Sequence, residues 1–242
     1  AWMLRAVDDS LRRLQTEHID ILYLHRDFAG MNLEEPVRAL GDLVASGKIR
    51  YWGVSNFRGW RIAELVHTAA RLGVPGPVVC QPYYNLLNRM PEVEVLPACE
   101  HHGIGVAPYS PIARGVLTGK YAPGAQPEPG TRAGRGDKRI AETEFREASL
   151  AIAQQLQAHA AAKGVTLAQW ATAWVLANRI VSSVIAGPRT LAQWADYLPA
   201  LAYTVDTEDK ALVDGLVAPG HPSTPGFNDP AYPLIGRRSA KA

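Results

Sequence analysis

The sequence predicts an α/β fold in which short apolar strands alternate with amphipathic helices. Five segments have the length and composition of buried strands, and helical patterns follow them along the chain. This alternation favours parallel strands joined by right-handed crossovers. The chain has 242 residues and 47% hydrophobic content, enough for a full core, and α/β barrels of roughly 250 residues are single domains.

The strands are predicted from runs that are apolar on both faces, and the helices from a period of 3.6 residues. The predicted strands cover residues 18–25, 48–57, 78–84, 103–107 and 182–189. The predicted helices cover residues 3–14, 31–47, 59–72, 91–102, 141–163, 166–178, 190–202 and 206–217. We therefore expect one domain over residues 1–217.

In two segments the apolar residues follow neither the helix period nor the strand period. Residues 121–139 are rich in Pro, Gly and Arg and predict an exposed loop. Residues 218–242 form a Pro-rich C-terminal tail that either wraps around the domain or is disordered.

The charge pattern argues against a nucleic-acid partner, because 25 basic and 23 acidic residues are mixed along the chain without a basic run. Cys80 and Cys99 lie in ordinary strand and helix patterns, which predicts neither disulfides nor a metal site. His101 and His102 are adjacent on a helix and are expected to point apart. Arg5, Asp8 and Asp9 stand where a signal peptide would need an apolar core. No apolar run is long enough to span a membrane. The expected location is the cytoplasm, with no membrane partner.

Polar residues stand where the predicted strands end. They are His25, Ser55, Asn56, Gln81, Tyr109 and Arg189. Ligands of parallel α/β folds bind at the carboxyl ends of the strands, so these residues are candidates for a binding site. Five of them have a structural alternative: His25 suits a hydrogen-bonded strand end, Ser55 and Asn56 suit a turn, Tyr109 suits a core, and Arg189 suits a surface. Gln81 lies in an apolar run and needs a hydrogen-bond partner in either case.

The segment GIGVAPYSPIARGVLTGKY, residues 103–121, carries the densest pattern. A strand leads into Tyr109, which offers a flat face to a planar ring, and into the Ser110 hydroxyl. Gly115 and Gly119 allow a phosphate to approach the backbone N–H groups, and Lys120 supplies a countercharge. The same pattern also fits a strand-to-helix turn without a ligand.

Five blocks of this sequence resemble consecutive blocks of the aldo-keto reductase family. They are LRRLQTEHIDILYLHRD, GKIRYWGVSNF, QPYYNLLNR, GVAPYSPIARGVLTGKY and VIAGPRTLAQW. They are similar to the branch of potassium-channel β subunits and bacterial NADP-dependent reductases. The resemblance implies a (β/α)8 barrel of the TIM type, here a partial barrel of about five parallel strands, with NADPH bound across the strand ends.

The resemblance also implies roles for single residues. His25 matches the catalytic histidine that holds the carbonyl oxygen of a small-molecule substrate, and Tyr109 matches the aromatic residue that stacks on the nicotinamide. Arg189 matches the partner of the 2′-phosphate, a role that suits a guanidinium. The other matched cofactor residues are Ser55, Asn56 and Gln81 at the carboxamide, Ser110, Ile112, Gly115 and Lys120 at the pyrophosphate, and Gln193 near the adenine. Gly187 is also expected to bind the cofactor.

The sequence departs from the family in three places. In the segment after His25, Phe28 stands where the family has Asp. Tyr197 stands where the family has an Asn near the adenine. The family's first three strands, with its catalytic Tyr, Lys and Asp, have no matching motif. We therefore expect an NADP(H)-dependent reductase of aldehydes or ketones with impaired activity, because a positioned general acid contributes roughly 10² to 10⁴ in rate. A noncatalytic NADPH-binding or regulatory module and an inactive fragment of a longer reductase remain open. Exposed sheet edges favour self-association.

Overall fold

The structure is a computed structural model that describes residues 2–28, 30–234 and 236. The chain divides into two compact units, each built from separate stretches of sequence. Unit 1 comprises Ala1–Pro82, Pro91–Pro108 and Ile180–Ser183. Unit 2 comprises Tyr83–Met90, Tyr109–Arg179 and Val184–Ala242.

Unit 1 is built on a parallel sheet whose strand order follows the sequence. The strands are β1 (Ile19–Leu24), β2 (Ile49–Ser55), β3 (Val79–Gln81) and β4 (Gly105–Val106). The register pairs Leu24 with Val54 and Ser55 with Gln81, so the carboxyl ends of β1, β2 and β3 lie level. In the described residues the sheet has four strands and does not close into a barrel. The predicted α/β class with parallel strands is confirmed.

The fifth predicted strand, residues 182–189, is wrong as a continuous strand. In unit 1, Val181 forms an isolated parallel bridge with Val106. In unit 2, Ile185 forms another with Tyr109. Proline at position 188 lacks the N–H that a ladder needs, which limits pairing beyond Ile185.

Helices alternate with the strands of unit 1 along the chain, and β1 has no fully buried residue. The helices are α1 (Trp2–Leu14), α2 (Glu34–Ala45), α3 (Gly59–Leu72) and α4 (Val95–His101), the last preceded by a short 3-10 turn. Gly73 ends α3 with a left-handed φ of 67°, as a C-terminal glycine is expected to do. Trp52, Leu40 and Ile62 are completely buried and form part of the core of this unit.

Unit 2 is mainly helical in the described residues. Its α-helices are α5 (Lys138–Thr143), α6 (Glu147–Ala162), α7 (Leu167–Leu176), α8 (Leu191–Tyr197) and α9 (Thr207–Leu216). Thr166 and Gln169 form a capping box at the start of α7. The single helix predicted over residues 141–163 is wrong, because the helix is interrupted between Thr143 and Glu147. None of the helices in the described ranges has the length and hydropathy needed to cross a bilayer.

The tail wraps onto unit 2 as far as it is described. Ser223 Oγ lies 2.9 Å from Ser149 Oγ, and Arg146 Nε donates to Thr224 Oγ1 at 2.8 Å. Asp229 accepts hydrogen bonds from Arg139 at 3.0 and 2.5 Å. Of the two sequence-based alternatives for this segment, the structure supports wrapping.

Candidate functional site

Four predicted site residues lie together in unit 1, at the carboxyl ends of its first three strands. His25 follows β1, Ser55 ends β2 and Gln81 ends β3. Asn56 Nδ2 donates to the carbonyl oxygen of His25 at 3.0 Å and to Ser55 Oγ at 2.9 Å, and Ser55 Oγ donates to the carbonyl oxygen of Gln81 at 2.8 Å. These bonds tie three neighbouring strand ends together. The His25 side chain is exposed and available to a ligand.

An ion pair that sequence reasoning missed fixes the segment after His25. Asp27 accepts two hydrogen bonds from Arg61 of α3, from Nε and from Nη2, each of 2.9 Å. Arg61 Nη2 also donates to the carbonyl oxygen of Met31 at 2.9 Å, and Arg61 is only 6% exposed. The only sequence signal was an arginine on the apolar face of a helix.

Unit 2 contains a pocket of about 470 Å³, within the size range of small-molecule sites. Three segments line it together with Ala168 of α7: the loop 109–120, residues 132–137, and residues 185–197 with α8. All eight cofactor residues predicted on this part of the chain line the pocket, namely Tyr109, Ser110, Ile112, Gly115, Lys120, Gly187, Arg189 and Gln193.

The backbone of the loop 110–119 is strained. Ala113, Arg114 and Gly115 are consecutive residues with positive φ angles of 48°, 52° and 101°, and Ser110 has a φ of 59°. Left-handed geometry at non-glycine residues costs free energy and is concentrated at ligand sites. Successive residues of this kind can direct backbone N–H groups into a concave anion-binding surface.

The pocket lining is positively charged. It carries Arg114, Lys120, Arg132, Arg135 and Arg189 against Asp137 and Asp196. Arg114 pairs with Glu144, and Arg132 Nε lies 2.9 Å from Asp137 Oδ2. In the part of the chain that the structure describes, Lys120, Arg135 and Arg189 form no ion pair. An anionic ligand would therefore find cationic partners here.

Two glycines that line the pocket differ in the space around them. A Cβ at Gly115 would lie 3.1 Å from Lys120 Nζ, so the missing side chain makes room for that ammonium group. A Cβ at Gly187 would meet nothing within 4 Å of the described chain. Gly187 therefore leaves open space beside Arg189 in the pocket lining.

The residues towards the predicted adenine end are ordered by local hydrogen bonds. Gln193 Oε1 accepts the Arg189 backbone N–H at 2.7 Å, and Thr190 Oγ1 caps α8 by accepting the Gln193 N–H at 3.2 Å. Tyr197 also lines the pocket, in the place of the family's Asn. Burial and the neighbouring Asp196 raise the pKa of Tyr197 to about 12, so its hydroxyl stays protonated at neutral pH.

A buried carboxylate in unit 2 was also missed. Tyr109 stacks on Tyr83, with ring centroids 5.6 Å apart and an interplanar angle of 23°. The Tyr83 hydroxyl donates to Glu144 Oε1, and Arg114 Nε donates to Glu144 Oε2 at 3.1 Å. Glu144 is completely buried. Its position in the chain gave no sign of this, because it falls inside a predicted helix.

The expectation that His101 and His102 point apart is wrong. Their ring centroids lie 4.8 Å apart, and the His102 ring is 5.8 Å from that of His67. Burial, together with these two neighbours, lowers the pKa of His102. Among the described residues, no three His, Cys, Asp or Glu side chains are arranged to hold a metal ion.

Comparison with known proteins shows similarity along most of the chain. The model of the aldo/keto reductase family matches residues 1–218. A probable voltage-gated potassium channel subunit beta from Arabidopsis thaliana is 40% identical over 193 residues, which are 79% of this chain and 59% of that protein. The L-glyceraldehyde 3-phosphate reductase of Escherichia coli strain K12 is 32% identical over 222 residues, 90% of this chain and 64% of the reductase.

A third relative is an uncharacterized oxidoreductase, YrpG, of Bacillus subtilis strain 168. It is 35% identical over 205 residues, which are 84% of this chain and 60% of that protein. The chain thus spans about three fifths of the length of the curated relatives it matches.

Proposed function

Because the chain belongs to the aldo/keto reductase family, whose fold is the (β/α)8 barrel, we propose that it binds NADPH and reduces the carbonyl group of an aldehyde or ketone. The observation that carries the proposal is the cationic pocket of unit 2, with the strained loop 110–119 on one side and Arg189 on another. The similarity to proteins named as reductases and oxidoreductases supports it.

The residues present suit a phosphorylated dinucleotide. The loop 110–119 and Lys120 suit the pyrophosphate, since backbone N–H groups and an ammonium group both favour phosphate oxygens. Arg189 suits the 2′-phosphate, because a guanidinium binds phosphate through paired hydrogen bonds. Tyr109, already packed on Tyr83, offers an aromatic surface to the nicotinamide.

When bound, NADPH supplies the hydride. The task of this chain is to hold both reactants. His25 is exposed beyond the end of β1, and a neutral imidazole N–H there can donate a hydrogen bond to a carbonyl oxygen. Asn56 and the Asp27–Arg61 pair hold the backbone around His25 in place. This reduces the entropy cost of orienting the His25 imidazole.

A measurement of cofactor binding tests the proposal before any measurement of turnover. NADPH and NADH are titrated by fluorescence into the wild-type chain, Arg189→Ala and Arg38→Ala. Arg38 is a matched control, a 62% exposed side chain on α2 that does not line the pocket. Hydrogen bonds to charged groups contribute about 1.5–3 kcal/mol, so Arg189→Ala should weaken NADPH by about 10- to 150-fold and leave NADH within about twofold.

Equal affinity of the wild-type chain for NADPH and NADH would contradict the assignment of Arg189. No saturable binding by a folded chain would contradict the cofactor proposal as a whole. Where NADPH binds, oxidation of NADPH at 340 nm with a panel of aldehydes and ketones then tests reduction.

A noncatalytic NADPH-binding or regulatory module is the second candidate. The similarity to plant proteins named as potassium channel β subunits favours it. The 340 nm assay separates the two, because this candidate predicts tight NADPH binding without consumption of NADPH by any carbonyl compound of the panel.

A further inference from the structure

Glu144 occupies an interior position between two parts of the unit 2 site. It lies just after α5, where the chain leaves the helix, and the Phe145 N–H bonds back to the carbonyl oxygen of Ile140 at 2.9 Å. The side chain of Glu144 is completely buried. A buried carboxylate is costly unless both its oxygens have partners, so the donors that meet it are informative.

One oxygen of Glu144 faces the aromatic pair. The Tyr83 hydroxyl donates to Oε1, and the Tyr83 ring is the surface on which Tyr109 stacks. This bond fixes the Tyr83 ring and, through the stacking contact, restricts the orientation of Tyr109. The Tyr83 hydroxyl stays protonated, because its burial and the adjacent Glu144 raise its pKa well above the usual value.

The other oxygen faces the loop. Oε2 accepts from Arg114 Nε at 3.1 Å and from the Thr143 hydroxyl, and Arg114 is the central residue of the three with positive φ. Arg114 Nε also donates to Thr143 Oγ1 at 3.3 Å. Strained residues keep such a conformation only when the surroundings hold them there. Around Arg114, the bond to Glu144 is complemented by Asn85, whose Nδ2 donates to the carbonyl oxygen of Ser110 at 3.0 Å.

We propose that Glu144 is a positioning residue, which holds the aromatic surface of Tyr109 and the phosphate-binding loop 110–119 in one fixed arrangement. The proposal rests on the proposed NADPH function and deepens it. It predicts that Glu144 couples the binding of the nicotinamide end of the cofactor to the binding of its pyrophosphate. Substituting Glu144 therefore weakens ligands that use both parts more than ligands that use neither.

Glu144→Gln is the main test, because it keeps the size of the side chain but removes its negative charge. The bond from Arg114 then loses its charge assistance, and the Tyr83 hydroxyl, which can also accept, faces an NH2 donor in place of a carboxylate oxygen. Glu142→Gln is the matched control on α5, where the 29% exposed Glu142 pairs with Lys138 and Arg139. Tyr83→Phe is a second variant that removes the hydroxyl link alone.

Two ligands are titrated into each variant: NADPH, and adenosine 2′-monophosphate, which has neither the nicotinamide nor either phosphate of the pyrophosphate. We expect Glu144→Gln to raise the Kd of NADPH about tenfold and that of the monophosphate less than about threefold, since one charge-assisted hydrogen bond is lost. Tyr83→Phe should raise the NADPH Kd about threefold, with a smaller effect in the Glu144→Gln background, because the bond from the Tyr83 hydroxyl to a carboxylate is already absent there. Glu142→Gln should change neither Kd.

Amide hydrogen exchange without ligand provides an independent readout. We expect exchange in residues 110–119 to accelerate about tenfold in Glu144→Gln and to stay unchanged in Glu142→Gln. An unchanged NADPH Kd, or equal weakening of both ligands with faster exchange throughout unit 2, would overturn the proposal. If the wild-type chain binds no NADPH, the proposed function fails, and exchange in residues 110–119 still decides whether Glu144 holds the loop. If Glu144→Gln does not fold, Tyr83→Phe decides.

Discussion

Asp209 is expected to be the most sensitive carboxylate of unit 2 to substitution. It is completely buried in α9, and both of its oxygens have two partners each. His159 Nε2 and Trp170 Nε1 meet Oδ1 at 2.7 and 3.0 Å, and the Tyr203 hydroxyl and the Asp206 N–H meet Oδ2 at 3.0 Å. Asp209→Asn keeps the shape, but its NH2 group then faces either Trp170 Nε1–H or the Asp206 N–H, and both of these can only donate.

The expected loss follows from that mismatch. Each buried polar group left without a partner costs about 1–3 kcal/mol, so the one donor that loses its acceptor should lower the free energy of unfolding by about 1–3 kcal/mol. Urea unfolding followed by circular dichroism should then show a midpoint about 0.3–3 M lower, since m-values are about 1–3 kcal/mol/M. Glu208→Gln is the control on the same helix, where a 71% exposed carboxylate pairs with Lys163, and its midpoint should be unchanged.

The pH dependence provides a second check on Asp209. Burial raises its pKa, but the hydrogen bonds from His159, Asp206, Trp170 and Tyr203 together outweigh burial, and the pKa is lowered. A lowered pKa contributes stability above the pKa of the unfolded Asp, about 3.9, and that contribution is lost as the pH falls through the folded-state value. The difference between wild type and Asp209→Asn should therefore shrink below about pH 4. A midpoint shift below about 0.3 M at pH 7 would refute the hydrogen-bond account.

Three further outcomes are expected. Gly115→Ala should weaken NADPH at least about fivefold in the fluorescence titration, because a φ of 101° is unfavourable for alanine and its Cβ would displace the Lys120 ammonium, 3.1 Å away; an unchanged Kd would contradict this. Arg61→Met should lower the free energy of unfolding by about 3–5 kcal/mol, because it leaves the Asp27 carboxylate unpaired, and calorimetry measures the loss. The Cys80 thiol should resist iodoacetamide until the chain unfolds, since it is buried and its pKa is raised by a hydrogen bond with the other buried thiol and by burial.

The parts of the structure that the sequence predicted well are those set by local pattern. The runs before His25 and Ser55 are rich in β-branched and aromatic residues, so both the strands and the positions of their polar ends followed from the sequence. The expected burial of both faces holds for most of β2 but not for β1, which has no fully buried residue. The Thr166 and Asp206 caps likewise follow from residues three positions apart.

The parts that were missed depend on partners distant in sequence. Tyr83 and Glu144 are 61 residues apart, and Asp27 and Arg61 are 34 apart, so no local pattern marks either pair. Glu144 fits a helical period as well as its neighbours do, and only the tertiary structure shows that the helix breaks there. The strand predicted over residues 182–189 failed for a related reason, because its apolar residues gave no indication that pairing is confined to single bridges.

The division of the chain has a consequence for experiments on fragments. The polypeptide passes from one unit to the other at five places, after Pro82, Met90, Pro108, Arg179 and Ser183. No single cut yields either unit whole, so expression of a contiguous half is expected to give an incomplete core. A split-protein reporter or an inserted domain is better placed at an exposed loop tip, such as Gly124, than at a unit boundary. Segments distant in sequence must also meet before either core is complete, which favours slow folding.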